Sequence, residues 1–304
     1  MTHSVCQNSW TSDSIQDLSG KVVIVTGSSS GIGLETARVI AEKNAEVIVA
    51  VRNPEKGAAA VKRIKDENPG AKVKLLLLDL ADLSSVRMFA EEFKSLYQRL
   101  DILINNAGVM TPPYSKTADG FELQMGTNHL GHFALSGLLM DLLIKTENSR
   151  LIVVSSIAHN FGNIDFDDLA WEIRSYNPMN SYGDSKLANL YFMSELVRRL
   201  KDRPGAPLVA GAHPGWTETE LQRTNASRHF NKMFAMKPWK GALPTLRAAC
   251  DADVHNDDFY GPKGLTQLNG FPVKVKRNKR AQDHSIAANM WDVSEKLTEV
   301  KFFG

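Results

Sequence analysis

The chain has 304 residues, 43% hydrophobic and 23% charged, with 36 Lys and Arg against 34 Asp and Glu for a formal net charge of +2. Those proportions fit a globular protein with a sizeable core, and the near-neutral balance gives no electrostatic reason to expect nucleic acid or an acidic membrane as partner. The only cysteines, Cys6 and Cys250, exclude a disulfide framework, and no Cys/His cluster suggests a metal. Residues 1–18 form a polar N-terminal arm without the apolar run of a secretion signal or the arginine-rich character of a transit peptide. No stretch approaches the roughly 18 apolar residues of a membrane span. The expectation is a cytoplasmic protein with no membrane span, in a reducing compartment.

In chain order, residues 22–26 are a short β-branched run ending at Gly27, followed by Ser28-Ser29-Ser30-Gly31-Ile32-Gly33 and a helical pattern over 34–43. Residues 47–51 read as a buried strand, 56–68 as an amphipathic helix stopped by Pro69-Gly70, and 73–78 as a third strand ending at Asp79. A helix over 84–97 precedes a strand at 102–104, which runs into Asn105-Asn106-Ala107-Gly108. Residues 129–145 read as a long helix, 151–154 as a strand, 181–201 as a helix and 208–212 as a strand. Helices alternating with uniformly apolar strands predict an α/β fold with a doubly wound parallel sheet, helices on both faces. With no internal repeat or linker, residues 19–304 are expected to form a single domain. Less regular sequence begins at Gly215 and includes 217–244 and 256–283.

The stretch from Thr26 to Gly33 lies between a strand and a helix, the context in which a glycine-rich loop binds a pyrophosphate. Glycines let the backbone approach, and the helix N-terminus offers free N–H groups and a positive dipole end. Nucleotide choice is read at the end of the second strand, where an acidic residue suits a ribose 2′-OH and an arginine a 2′-phosphate. Here the sequence is Val51-Arg52-Asn53 with no carboxylate, so the expected cofactor is NADP(H), held by the planar fork of Arg52. Asp79, ending the third strand, is placed either to accept from the adenine amino group or to cap a turn.

With these pieces in line, the chain resembles the short-chain dehydrogenase/reductase family over about residues 19–223. The signatures are the glycine loop Thr26–Gly33, Asn105–Gly108, Asn128 in Thr127-Asn128-His129-Leu130-Gly131, Ser156 in Val154-Ser155-Ser156, Tyr182 and Lys186 in a Tyr-x-x-x-Lys pair, and Pro214-Gly215 followed by Trp216, Thr217 and Thr219. The Lys-Leu-Ala-Asn continuation after Ser185, Arg52-Asn53 and the long stretch from Ser156 to Tyr182 resemble the retinol dehydrogenase-like and protochlorophyllide reductase-like branch. The second of these has further cysteines near its pigment, which this chain lacks. The resemblance implies a Rossmann-type fold and catalysis by Asn128, Ser156, Tyr182 and Lys186. It implies cofactor contacts from Gly27, Ser28, Ser30, Gly31, Ile32, Gly33, Arg52, Asn53, Asp79, Leu80, Asn106, Ala107, Gly108, Tyr182, Lys186, Pro214, Gly215, Trp216 and Thr217. It also implies a homodimer or homotetramer paired through helices 129–145 and 181–201.

The chemistry follows from residue types. A phenol with a pKa near 10 is a poor base, and an ammonium one helical turn away favours its ionised form. Tyr182 is thus the expected proton donor and acceptor, Ser156 the donor to the substrate oxygen, and Lys186 the group that tunes Tyr182 and holds the nicotinamide ribose. Asn128 is expected to fix a water linking Lys186 to solvent, and is also placed to cap a helix. The expected activity is hydride transfer between NADP(H) and a carbonyl or alcohol on a bulky apolar small molecule. The competing class is a catalytically idle nucleotide sensor or scaffold. Segment 157–180, with Phe161, Phe166, Trp171 and Tyr176, reads either as a substrate wall or as an accessory packing unit. Segment 216–244, with Trp216, Phe230, Met233, Phe234, Met236 and Trp239, reads either as a substrate lid or as helical core. His129 and His132 have metal-compatible spacing but no partner ligand. His159 and His213 adjoin the site, and the basic run Lys274, Lys276, Arg277, Lys279, Arg280 reads as a solvated edge.

Overall fold

The computed structural model describes residues 9–217, 236–264 and 266–303. Thr219, Arg223, Phe230, Met233 and Phe234 lie outside the described residues, as does Cys6. The first half alternates β1 (Val22–Thr26), α1 (Gly31–Glu42), β2 (Glu46–Val51), α2 (Pro54–Glu67), β3 (Lys72–Leu77), α3 (Leu83–Leu96) and β4 (Ile102–Asn105). The second half carries α4 (Gly131–Lys145), β5 (Arg150–Val154), α5 (Pro178–Leu200), β6 (Leu208–Ala212), α6 (Pro238–Cys250), β7 (Phe259–Pro262), β8 (Pro272–Lys274) and α7 (His284–Thr298). The strands form one eight-stranded sheet in the order β3-β2-β1-β4-β5-β6-β7-β8. Every pair is parallel except β7 with β8. The chain winds from β1 outward to β3, then returns to place β4 on the other side of β1. That reversal opens a crevice beyond the carboxyl ends of β1 and β4, where such sheets bind ligands.

Apolar strands are explained by the two cores. Val22 and Ile24 of β1 point into one cluster, Val23 and Val25 into the other, so a strand buried on both faces needs no polar alternation. The edge strand β3 departs from the expectation of uniform apolarity. It begins Lys72-Val73-Lys74, and lysines on an edge discourage pairing with another chain.

Helix starts show how local chemistry sets boundaries. Asn53 caps α2, Asp82 caps α3, Asn177 caps α5 and Asp283 caps α7, each accepting from first-turn N–H groups. The helix expected to begin at His129 starts earlier: a turn at Leu123–Met125 widens into a π-turn over Gly126–Leu130 and continues as α4. Asn128 therefore sits inside a continuous helical run and is not an N-cap.

The reading of the last third as irregular is corrected in part. Pro238 opens α6 at its first turn, where its missing N–H costs nothing, and the helix tolerates Pro244 inside. Prolines and glycine also obscured the short strands β7 and β8. Nor is the basic run simply solvated. Lys274 pairs with Asp258 at 2.8 Å, Arg277 pairs with Asp257, and Arg280 donates to the Gly162 carbonyl at 2.6 Å. Trp291 of α7 and Phe302 after it pack against Phe133 of α4 and Phe192 of α5, Trp291 stacking on Phe192 and the other ring pairs meeting edge-on or tilted. Part of the surface of α4 and α5, through which the resemblance implies pairing, is thus covered by the chain's own C-terminal segment. At the other end, Ile15 is buried and Trp10 packs against the same cluster as α1.

Candidate active site

The crevice is first a backbone feature. Gly27 (φ 67°) and Gly31 (φ 57°) occupy the left-handed region that favours glycine. A Cβ on Gly27 would lie 2.8 Å from Ala107, and one on Gly33 would lie 2.5 Å from the Gly27 carbonyl and from Asn106 Nδ2. The loop therefore closes only on hydrogen atoms. Ser30 stands at the N-cap of α1 without a side-chain cap bond, unlike the capped starts of α2, α3, α5 and α7. The first-turn N–H groups of α1 are left facing the crevice, as binding an anion requires. Ser28 is turned inward, its hydroxyl donating to the Val25 carbonyl at 2.7 Å. Thr26 locks the loop to the next strand: its hydroxyl oxygen accepts the Asn106 and Ala107 N–H groups, both at 2.9 Å.

At the rim, Arg52 is exposed and has no hydrogen bond or ion pair among the described residues. Asn53 accepts from the Lys56 N–H at 2.8 Å and so is occupied as a cap. Asp79 caps a turn, its Oδ1 accepting from the Ala81 N–H at 2.9 Å, and its second carboxylate oxygen can still accept from an adenine amino group. Leu80 is core, with its carbonyl 2.3 Å from where a Cβ on Gly131 would lie.

The catalytic candidates converge at the ends of β4 and β5. Ser155 is turned away, donating to the Lys186 carbonyl at 2.8 Å. Ser156 is half-buried and its oxygen accepts from the Ala158 N–H at 3.2 Å. Tyr182 and Lys186 share one face of α5, with Lys186 Nζ 5.7 Å from the Tyr182 ring centroid and donating to the Val154 carbonyl at 3.2 Å. Burial pushes the Tyr182 phenol up to about 12, the Ser156 hydroxyl bonded to it acting in the opposite sense. Burial also pulls Lys186 down to about 8. The causes of the Tyr182 shift are burial and the Ser156 bond, and Lys186 is not among them: exclusion of water disfavours the phenolate in the protein alone.

Asn128 is fully engaged. Its Oδ1 accepts from the Val109 N–H at 2.7 Å, and its Nδ2 donates to the Val109 carbonyl and to Ser185 Oγ, both at 2.9 Å. A Cβ on Gly108 would lie 3.0 Å from Asn128 Oδ1 and 3.5 Å from Lys186 Nζ, so the loop after β4 runs directly beside the ammonium. Behind it, His132 donates from Nδ1 to the Asn128 carbonyl at 2.9 Å, which leaves Nε2 to accept from the Thr26 hydroxyl at 2.9 Å. Burial drives His132 down to about 3 and keeps it neutral. His129 bonds Ser294 instead, at 2.8 Å. No metal-holding group of three His, Cys, Asp or Glu residues occurs among the described residues.

The remaining candidates form the wall after β6. The Gly215 N–H donates to His213 Nδ1 at 3.2 Å, while His213 Nε2 donates to Gln267 at 2.9 Å. The Trp216 N–H donates to the Leu268 carbonyl at 2.9 Å, and the Thr217 hydroxyl to the Pro214 carbonyl at 2.9 Å. Thr217 and Met236 form a parallel bridge. His159 donates from Nδ1 to the Ser156 carbonyl at 2.6 Å and backs the serine.

Residues absent from the sequence reading organise the other wall. Asp168 accepts the N–H groups of Glu172, Ile173 and Arg174 at 2.7, 3.1 and 3.0 Å. The Arg174 guanidinium stacks 3.6 Å over Trp171 and reaches Asp184 of α5 at 3.1 Å. Asp184 also accepts from the Asn163 N–H at 2.7 Å. Nothing in a linear scan links these positions. Gln124, described below, carried one signal: it stands one helical turn before Asn128.

Comparison with known proteins agrees with this architecture. A profile described as short chain dehydrogenase matches residues 21–229. Human retinol dehydrogenase 11 is 40% identical over 285 residues, covering 91% of this chain and 85% of that one. Human retinol dehydrogenase 13 is 42% identical over 292 residues, with 91% and 84% covered. The crystal structure of an uncharacterized protein from Mycobacterium paratuberculosis superposes with a TM-score of 0.82 and 41% identity over 97% of this chain and 99% of that one. A short chain dehydrogenase from Shigella flexneri complexed with NADP gives a TM-score of 0.65 and 25% identity over 80% and 98%.

Proposed function

We propose, starting from the fact that this chain belongs to the short-chain dehydrogenase family with retinol dehydrogenases among its relatives, that it transfers hydride between NADP(H) and a carbonyl or alcohol on a bulky apolar molecule of retinoid type. The observation that carries this reading is the meeting of half-buried Ser156 with buried Tyr182 and Lys186, joined to the glycine loop through Asn106, Ala107 and Gly108. The glycine cradle and the open helix end fit a dinucleotide pyrophosphate, and Arg52, exposed at the end of β2 with no partner among the described residues, fits a 2′-phosphate. Lys186 would hold the nicotinamide ribose, and Pro214–Thr217 would line the nicotinamide face. When bound, the nicotinamide supplies or accepts the hydride.

The chain's own groups handle the oxygen and its proton. Ser156 donates to the carbonyl oxygen and stabilises the negative charge that grows there. Tyr182, near 12, keeps its proton at neutral pH and hands it to that oxygen as an acid. Lys186, near 8, remains mostly an ammonium at neutral pH and favours the phenolate left behind. The side chain of Asn128 is taken and its carbonyl already accepts from His132, so a water leading from Lys186 to solvent would use that carbonyl's second lone pair. A large apolar substrate is supported by the exposed Tyr114, Ile173, Met179, Trp216 and Leu268 on segments at the carboxyl end of the sheet. The scarcity of cysteine supports a cytoplasmic setting.

The test is NADPH and NADH oxidation against aldehydes and ketones graded from small aliphatics to retinal-sized carbonyls. Turnover favouring NADPH and rising with apolar size is expected. Binding of NADPH without turnover of any carbonyl or alcohol would shift the weight to the sensor reading.

A further inference from the structure

Gln124 is fully buried just before the π-turn that carries Asn128. Its side-chain amide meets three segments at once. Oε1 accepts from the Thr111 N–H at 2.8 Å; Nε2 donates to the Pro178 carbonyl at 2.9 Å and lies 3.1 Å from the hydroxyls of Tyr176 and Ser181. Thr111 belongs to the loop after β4, Tyr176 ends the segment that walls the site, and Ser181 immediately precedes Tyr182. Only a neutral amide serves all of these: a carboxylate has no hydrogen for the Pro178 carbonyl, and an apolar side chain leaves the Thr111 N–H unpaired in the interior.

A second observation points the same way. Thr111 has φ 50°, the left-handed region, which a β-branched residue adopts only when its surroundings hold it there. The Gln124 acceptor holds it. Tyr176 is fixed from the other side by the buried Glu122 carboxylate, which accepts from its hydroxyl at 3.1 Å and from the Met125 N–H at 2.8 Å.

We propose that Gln124 is a positioning residue for the hydride-transfer reaction. It sets the first turn of α5, and with it Tyr182, against the strained loop after β4 that forms the opposite lip of the same site. This rests on the reading of Tyr182 as proton donor, and the experiment separates the two. Gln124→Met keeps the side-chain length and removes every hydrogen bond. In protein still folded at the assay temperature, kcat should fall roughly tenfold to a hundredfold, the scale of an ångström-sized misplacement. NADPH affinity, measured by fluorescence titration, should stay within about threefold, because the kcat effect arises after binding. Tyr176→Phe removes one contact and should lower kcat by about threefold or more in the same direction. Amide exchange at Thr111 and across Ser181–Tyr182 in the cofactor-free protein should quicken in both variants.

A folded Gln124→Met enzyme with wild-type kcat and KM, or with its loss confined to NADPH affinity, overturns the proposal. If that variant does not fold, Tyr176→Phe decides by the same criteria. If the wild type itself turns over no carbonyl or alcohol, the parent reading fails, and unchanged amide exchange in the variants overturns this one independently.

Discussion

The loop at Gly27–Gly33 and the segment between Ser156 and Tyr182 flank one crevice and are built in opposite ways. The loop presents backbone: two glycines with positive φ, a third with no room for a methyl group, and a helix start that no side chain caps. The segment is fastened by side chains, through the Asp168 nest, the Arg174 stack on Trp171 and its reach to Asp184 on α5. A diphosphate is met by N–H groups that any sequence supplies once the chain can turn tightly enough. A particular carbon skeleton must be met by side chains, and those are positioned by others from distant parts of the chain. Tyr182, Lys186 and Ser156 lie at the seam.

That contrast can be broken at several points. At the seam, Tyr182→Phe should cut kcat by roughly 10²–10⁴-fold, the usual worth of a positioned acid, with little change in NADPH affinity by fluorescence titration. At the cofactor end, Arg52→Ala should lower the NADPH-over-NADH preference by roughly tenfold to a hundredfold, the size of a charge-assisted hydrogen bond of about 1.5–3 kcal/mol. Equal kcat/KM ratios for the two cofactors before and after the change would remove Arg52 from the account.

Lys186 gives a pH signature. Its pKa is depressed to about 8 by burial, so raising the pH through that value removes the charge that supports Tyr182. The kcat/KM for reduction should decline above about pH 8, by up to roughly tenfold per unit. Lys186→Arg, which keeps its charge, should be slower yet lack that alkaline limb.

The smallest effect belongs to the substrate end. Burial raises Asp184 to about 6 against the pull of the Asn163 N–H and Arg174. A carboxyl whose folded pKa lies above its unfolded value contributes stability that is present below the unfolded pKa and lost as pH rises through the folded one. From pH 7 to pH 5 the wild-type thermal midpoint should therefore gain on that of Asp184→Asn by roughly 2–4 °C. Over the same range the Arg174 tie to α5 weakens as its partner loses charge. A midpoint difference independent of pH would show that Asp184 does not titrate there.

Legibility in the sequence follows the same division. The first six strands and the crevice could be read because strand, glycine loop and helix are contiguous, and Tyr182 and Lys186 fall one helical turn apart. Asn128 was visible as a residue but not as part of a π-turn, because widening by one residue leaves no mark on apolar spacing. β7 and β8 were hidden by Gly261, Pro262 and Pro272, residues that argue against strands unless an edge tolerates them. The Arg174 tie was not legible, and the Gln124 junction left only the trace of standing one helical turn before Asn128. Gln124 and Thr111 are separated from Ser181 by a full crossover, and a buried amide looks in sequence like any polar residue on a helix. Likewise, nothing in the apolar residues of α4 and α5 showed that Phe133 and Phe192 would pack against Trp291 and Phe302.

The central claim is tested most directly by following the hydrogen itself. The purified protein is incubated with NADPH deuterated at the transferring carbon and a retinal-sized apolar aldehyde, and the alcohol is examined by mass spectrometry. The account predicts one deuterium on the carbinol carbon, with the label lost from NADPH at the same rate. Saturable NADPH binding with no label reaching any carbonyl of the graded set would contradict it.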